Sequence, residues 1–159
     1  MKTTTICLPV FLLFILTGIY SCQETGEQFP KFSQYVDPFI GTTGGGNQNP
    51  GARCPFGMIQ LSPCSHAKNS FKSTNYAHGN EEIYGFGLRH ISGVGCVNPG
   101  GIVVMPSSGD ISPGNQKSSY SDENAKPGYY GVFLENGRFQ VEATALQRSG
   151  IFRISGGND

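Results

Sequence analysis

Residues Gly128 to Ser155 constrain the fold more than any other part of the chain. Tyr129-Tyr130-Gly131-Val132-Phe133-Leu134 leads into Asn136-Gly137, a dipeptide that accepts the positive φ angles of a two-residue hairpin turn. Arg138 to Ala145 runs back with Phe139, Val141, Ala143 and Ala145 at alternate positions. Side chains on a strand repeat every two residues, so these four share one face. Arg148 to Ile154 supplies a third strand, and Gly156-Gly157-Asn158-Asp159 stops it. An apolar sheet face must be buried against a second layer. The expectation is therefore an all-β fold, a β-sandwich.

Upstream residues agree. Met58-Ile59-Gln60-Leu61, between Gly57 and Pro63, and Ile102-Val103-Val104-Met105, between Gly101 and Pro106, read as short buried strands. With 23 glycines and 10 prolines in 159 residues, short strands and many turns are expected and long helices are not. The ordered domain should begin near Tyr35 and run over 35–159, with Thr42-Thr43-Gly44-Gly45-Gly46-Asn47 as a loop. Because a third strand arrives last, with nothing after it to cover its face, the sandwich is expected to be partial, a truncated piece of a longer design rather than a self-contained small sandwich.

Met1 to Thr5 is a short cationic start and Ile6 to Ile19 a mostly apolar run broken by Pro9, too short to span a bilayer comfortably. Residues 1–21 therefore read as an export signal, with a signal helix, and Ser21-Cys22 looks like the box at which bacterial lipoproteins are cleaved and lipidated on the cysteine. Cys22 would then anchor the chain to a membrane, with 22–34 as a polar flexible tether; ordinary cleavage after Ser21 is the alternative. Eleven basic and eleven acidic residues balance, which argues against nucleic acid as a partner. Cys54, Cys64 and Cys96 remain in the domain, without C-x-x-C spacing, so no zinc site is expected, and either one bridge or three buried thiols is left open.

Four ordered strings resemble one family. They are Tyr35-Val36-Asp37-Pro38-Phe39-Ile40-Gly41-Thr42; Pro50-Gly51-Ala52-Arg53-Cys54-Pro55-Phe56-Gly57-Met58-Ile59-Gln60-Leu61-Ser62-Pro63; Ile83-Tyr84-Gly85-Phe86 through His90-Ile91-Ser92-Gly93-Val94-Gly95-Cys96 with Gly101 to Pro106; and Ser121 to Tyr130 with Val141 to Ala145. Together they resemble the front of the N-terminal β-sandwich of glycoside hydrolase family 92, the calcium-dependent exo-α-mannosidases. The resemblance implies inverting hydrolysis that trims mannose from glycans, such as N-glycans. It also implies that calcium, general acid and general base come mainly from a C-terminal (α/α) barrel that this chain lacks. On that reading the chain is an exported bacterial lipoprotein of the outer membrane or periplasm, inactive alone, with no catalytic residue and no metal ligand of its own. A stand-alone carbohydrate-binding surface lipoprotein is the alternative.

The candidate sugar contacts are Gly44, Gly45, Gly46 and Asn47, whose backbone N–H groups can approach a polyol closely, and His90, Ser92 and Gly93, with His90 as a donor to a mannose hydroxyl. Either set can equally be structural, a tight turn or a satisfied histidine. Leu88, followed by Arg89 before His90, stands where many family members carry a first histidine, so any role of that histidine is missing, and Ser62-Pro63-Cys64-Ser65 replaces the family's S-P-D-T. The chain has no tryptophan, leaving Phe71 or Tyr76 as a stacking platform or as core. Glu81 and Glu82, and Asp122-Glu123 in a polar turn, are expected to be solvated surface.

Overall fold

The computed structural model describes residues 31–44, 47–65, 75–89, 101–109, 111–112 and 116–157. The signal, Cys22, most of the tether, Phe71 and Cys96 lie outside the described residues. Phe32–Tyr35 forms a 3-10 turn, and all other regular structure among the described residues is strand. In chain order these are β1 Ala52–Arg53, β2 Gln60–Pro63, β3 Glu82–Ile83, β4 Phe86–Arg89, β5 Val103–Val104, β6 Ser118–Lys126, β7 Tyr129–Leu134, β8 Phe139–Ala145 and β9 Gly150–Gly156.

Two antiparallel sheets result, β1-β2-β4-β5 and β3-β6-β7-β8-β9. β1 and β2 pack across β7, β8 and β9, so the chain is the expected partial sandwich. Its core is Ala52, Leu61 and Phe86 from the smaller sheet against Ile83, Tyr130, Val132, Leu134, Phe139, Val141, Ala143 and Ala145 from the larger. The Phe86 ring lies 6.5 Å from that of Tyr130 and 5.9 Å from that of Phe152. The four alternating residues of β8 are all buried, which is why the meander keeps its register: a one-residue slip would turn them to solvent.

The structure departs from the sequence reading at particular points. The hairpin connection is four residues, with Leu134 paired to Phe139 and positive φ at Gly137 and Arg138 instead of Asn136. Asn136 is held outside, its Nδ2 donating to the Lys117 carbonyl at 3.0 Å. β2 begins two residues late, at Gln60, and Met58 is exposed. β5 is two exposed residues, with Val103 at 54% and Val104 at 43% exposure. It is an outer strand with little above it, so its apolar composition does not bury it.

The largest departure is Glu123. It lies on β6, and the register slips between Ser121 and Asn124, with Asp122 at φ 50°. This bulge adds one residue to β6 relative to β7 and reverses the alternation. Tyr120, Glu123 and Ala125 consequently share the inner face, and the Glu123 side chain is only 7% exposed. Glu82, by contrast, is at the surface on β3, paired with Lys117 at 2.8 Å.

On the outer face of the larger sheet, Glu142 accepts from Tyr129 Oη at 2.9 Å and from Arg153 Nε at 2.6 Å, linking β7, β8 and β9. Arg153 first, then Tyr129, holds this carboxyl below the usual glutamate range. A depressed folded pKa contributes stability that is present above the unfolded value and is lost as pH falls through the folded one. Amide protection factors in β9 should therefore fall on acidification through that window, and Arg153→Met should remove most of that pH dependence. Equal acid sensitivity in the two proteins would show that the pair does not clasp β9.

Candidate functional site

β2 builds the site. Leu61 points into the core, so Gln60 and Ser62 point to the opposite face of the sheet, where solvent would be expected. Both are nevertheless buried, at 7% and 0% exposure. The segment that leads into β1 ends at Gly51, beside Ser62 in the β1–β2 register, where a Cβ would sit 2.3 Å from the Leu61 carbonyl oxygen and 2.4 Å from Ser62 Oγ. The segment is pinned along its length. Asp37 Oδ1 accepts the Phe39 amide at 2.9 Å, Thr42 Oγ1 donates to the Phe39 carbonyl at 2.7 Å, and Asn49 Oδ1 accepts the Gly51 amide at 2.8 Å.

Between this segment and the edge of the sandwich opens a cleft of about 580 Å³. Its polar walls are Asp37, Gln48, Asn49, Arg53, Gln60 and Lys126, and its apolar ones include Val36, Ile40, Phe56 and Met58. Phe56 is fully exposed and held at φ 56°, a left-handed conformation that costs a non-glycine residue free energy. The Gly57 amide, donating to the Cys54 carbonyl at 2.9 Å, closes that turn. Gln60 Nε2 and Ser62 Oγ have no hydrogen-bond partner among the described residues. Two orphaned polar atoms on one buried strand face are unusual, since such groups are nearly always paired.

A second polar group lies beneath the same segment. Glu123 Oε1 accepts from Tyr130 Oη at 2.7 Å and from Tyr76 Oη at 2.9 Å, and His78 Nδ1 stands 3.4 Å from Oε2. Burial first, then the Glu123 charge, pushes the Tyr76 and Tyr130 hydroxyls far above the usual tyrosine range and Tyr120 up to about 12. All three therefore remain protonated donors. The His78 amide donates to the Thr42 carbonyl at 3.1 Å and its ring lies 4.8 Å from that of Phe39, so this cluster supports the segment that roofs the cleft. Tyr76 is fully buried; it is core, not a stacking platform.

Of the sugar contacts expected from sequence, Gly44 lies in the loop at φ 60° and Asn47 is exposed on it. The Gln48 amide closes the loop on the Gly41 carbonyl at 3.2 Å, which places Asn47 next to the cleft residues Gln48 and Asn49. Gly45, Gly46, His90, Ser92 and Gly93 lie outside the described residues. Sequence reasoning missed Gln60, Ser62 and Phe56. The available signal was a glutamine inside a strand otherwise read as buried. Cys54 is half-buried and Cys64 buried. Among the described residues no three His, Cys, Asp or Glu side chains are grouped to hold a metal ion.

Residues 35–157 match the glycosyl hydrolase family 92 N-terminal domain. The chain belongs to glycoside hydrolase family 92. Its fold superposes on a family 92 α-mannosidase from Bacteroides thetaiotaomicron with TM-score 0.71 and 37% identity, covering 79% of this chain and 18% of that one. A family 92 inverting mannosidase from the same species gives 0.65 and 25%, covering 78% and 18%. An uncharacterized secreted glycosidase of Arthroderma benhamiae is 27% identical over 157 residues, 89% of this chain and 19% of that protein. This family 92 chain thus spans about a fifth of the length of these relatives.

Proposed function

We propose that this chain is the N-terminal sandwich portion of an exported exo-α-mannosidase-type glycoside hydrolase, and that it forms a non-catalytic wall of a mannose pocket. The observation that carries the reading is the family 92 match over residues 35–157 together with mannosidases as structural neighbours. One neighbour's structure is a complex with mannoimidazole. In an inverting hydrolase one carboxylic acid protonates the leaving oxygen while a second, more distant carboxylate activates water on the opposite face of the ring. Glu123, buried among tyrosines, is placed for neither role. The acid, the base and the calcium belong to the barrel, where calcium would hold paired sugar hydroxyls, and the chain alone is inactive.

The loop over 42–47 and the residues His90, Ser92 and Gly93 supply sugar contacts on this reading. Export is supported by the cationic and apolar start of the chain and by the secreted relative; Cys22 carries lipid and tethers the domain at the outer membrane or in the periplasm. A stand-alone carbohydrate-binding lipoprotein is the second reading, favoured by a buried cluster drawn from both sheets.

Saturation-transfer NMR with methyl α-mannoside tests the wall. Saturable binding is expected, weakened about tenfold in His90→Ala, the effect of one lost hydrogen bond of about 1.4 kcal/mol. Absence of mannoside binding would sink this reading.

A further inference from the structure

We propose that Asn136 is a self-modification site, where the Gly137 backbone nitrogen closes on the Asn136 carboxamide, converts the residue to aspartate and isoaspartate, and releases the β7–β8 turn from β6. The proposal is independent of the sugar-wall reading. It starts from what the turn demands of its two central residues. Gly137 stands at φ 77°, and a Cβ there would lie 2.5 Å from the Phe139 ring and 2.9 Å from Ser108 Oγ, so the fold selects glycine. Asn136 answers a different demand. Its Nδ2 donates to the Lys117 carbonyl at 3.0 Å and its backbone amide donates to Ser118 Oγ at 2.9 Å. Lys117 precedes β6 and Ser118 opens it, so these two bonds latch the turn to that strand. The fold thereby sets an asparagine, a thermolabile residue, directly before a glycine, and the sequence contains no other such pair.

The reaction needs a nucleophilic backbone nitrogen, a reachable carboxamide carbon and water. Glycine leaves that nitrogen without a side chain to shield it, and among the described residues the Gly137 amide donates no hydrogen bond that the attack must break. Asn136 is exposed, so water reaches it. The Gly137 N to Asn136 Cγ bond forms as the Cγ–Nδ2 bond breaks, and the amide proton leaves with Nδ2 as ammonia. Water then opens the cyclic imide. Cleavage at Cγ gives aspartate, and cleavage at the main-chain carbonyl carbon gives isoaspartate, with the chain running through Cγ. Both products lack Nδ2 and carry a carboxylate, which accepts hydrogen bonds and cannot donate one, so the bond to the Lys117 carbonyl is lost. Isoaspartate also adds one backbone carbon to a turn closed by the Arg138 amide on the Glu135 carbonyl at 3.3 Å. Because the carboxamide must leave Lys117 before the ring can close, the latch sets the rate.

The test incubates the full chain in alkaline buffer, folded and in guanidinium, beside Ser118→Ala and Asn136→Gln, and follows each by peptide mass mapping and by enzymatic methyl transfer to isoaspartate. The expected result in the folded chain is a gain of a single mass unit in the peptide that holds Asn136, divided between aspartate and isoaspartate. Asn136→Gln should show no such gain at this position, because its longer side chain closes a larger ring. Ser118→Ala should convert about tenfold faster, since one hydrogen bond of ordinary strength no longer holds the turn. Asn136→Asp makes one product directly, and amide exchange over residues 118–120 should quicken in it; this variant decides the latch even where Ser118→Ala fails to fold. An intact Asn136 in the folded chain overturns the proposal, whether or not guanidinium starts the reaction. Equal rates in the native chain and Ser118→Ala, or unchanged exchange in Asn136→Asp, would overturn the latch to β6.

Discussion

Replacing Glu123 with alanine should lower the unfolding free energy by about 2–5 kcal/mol, since it removes hydrogen bonds to a charged group, about 1.5–3 kcal/mol each, from two buried tyrosine hydroxyls, Tyr130 losing its acceptor while Tyr76 keeps His78 Nδ1 at 3.2 Å. Tyr76 and Tyr130 are both fully buried, and each points its hydroxyl at the Glu123 carboxylate within 3.0 Å. Neither can turn to water without breaking the core. Against a typical domain stability of about 5–15 kcal/mol, the loss is severe. Glu123→Gln keeps one carbonyl acceptor and should lose less. Tyr130→Phe in the Glu123→Ala background should restore part of the stability by removing one orphaned donor. Urea denaturation of the four proteins reads all of this; a midpoint for Glu123→Ala close to that of the native chain would show that the carboxylate is solvated after all.

Leu61→Ala should cost about 2–5 kcal/mol as a buried large-to-small change. Leu61 is the residue through which the smaller sheet reaches the end of the larger one. A Cβ placed on Gly150 of β9 would lie 2.8 Å from Leu61 Cδ1, so leucine and glycine are matched across the core. Gly150→Ala alone should therefore be destabilising through overpacking. Combined with Leu61→Ala it should cost less than the sum of the two, because the new methyl enters the space the leucine leaves. Strict additivity in a double-mutant cycle would contradict this packing.

These two positions also show what sequence can and cannot convey. The faces of β7 and β8 were legible because alternation over Phe139, Val141, Ala143 and Ala145 is local and uninterrupted. The same logic failed at Glu123 because one bulge residue, Asp122, reverses the alternation, and a single extra residue leaves no periodic trace. A polar run such as Ser121-Asp122-Glu123-Asn124 then looks solvated throughout. β5 failed for the opposite reason: Ile102-Val103-Val104 has the composition of a buried strand, but burial requires a neighbour that composition does not specify.

The site was less legible than the fold. Gly44 and Asn47 fall where a loop was expected, next to the cleft. That Gln60 and Ser62 are buried on the face opposite Leu61, with Gly51 packed closely against Ser62, is not written in the strand's own pattern. Such a contact is tertiary. Motif resemblance could identify the family and the sandwich, yet it said nothing about which strand face is buried.

The account's central claim is that this sandwich lines a sugar pocket without holding the proton-transfer pair or the metal. The direct measurement is release of 4-nitrophenol from 4-nitrophenyl α-mannoside by the purified chain, with added calcium and with a chelator. The account predicts no release above the buffer rate in either condition. Turnover that calcium sustains and the chelator abolishes would contradict it.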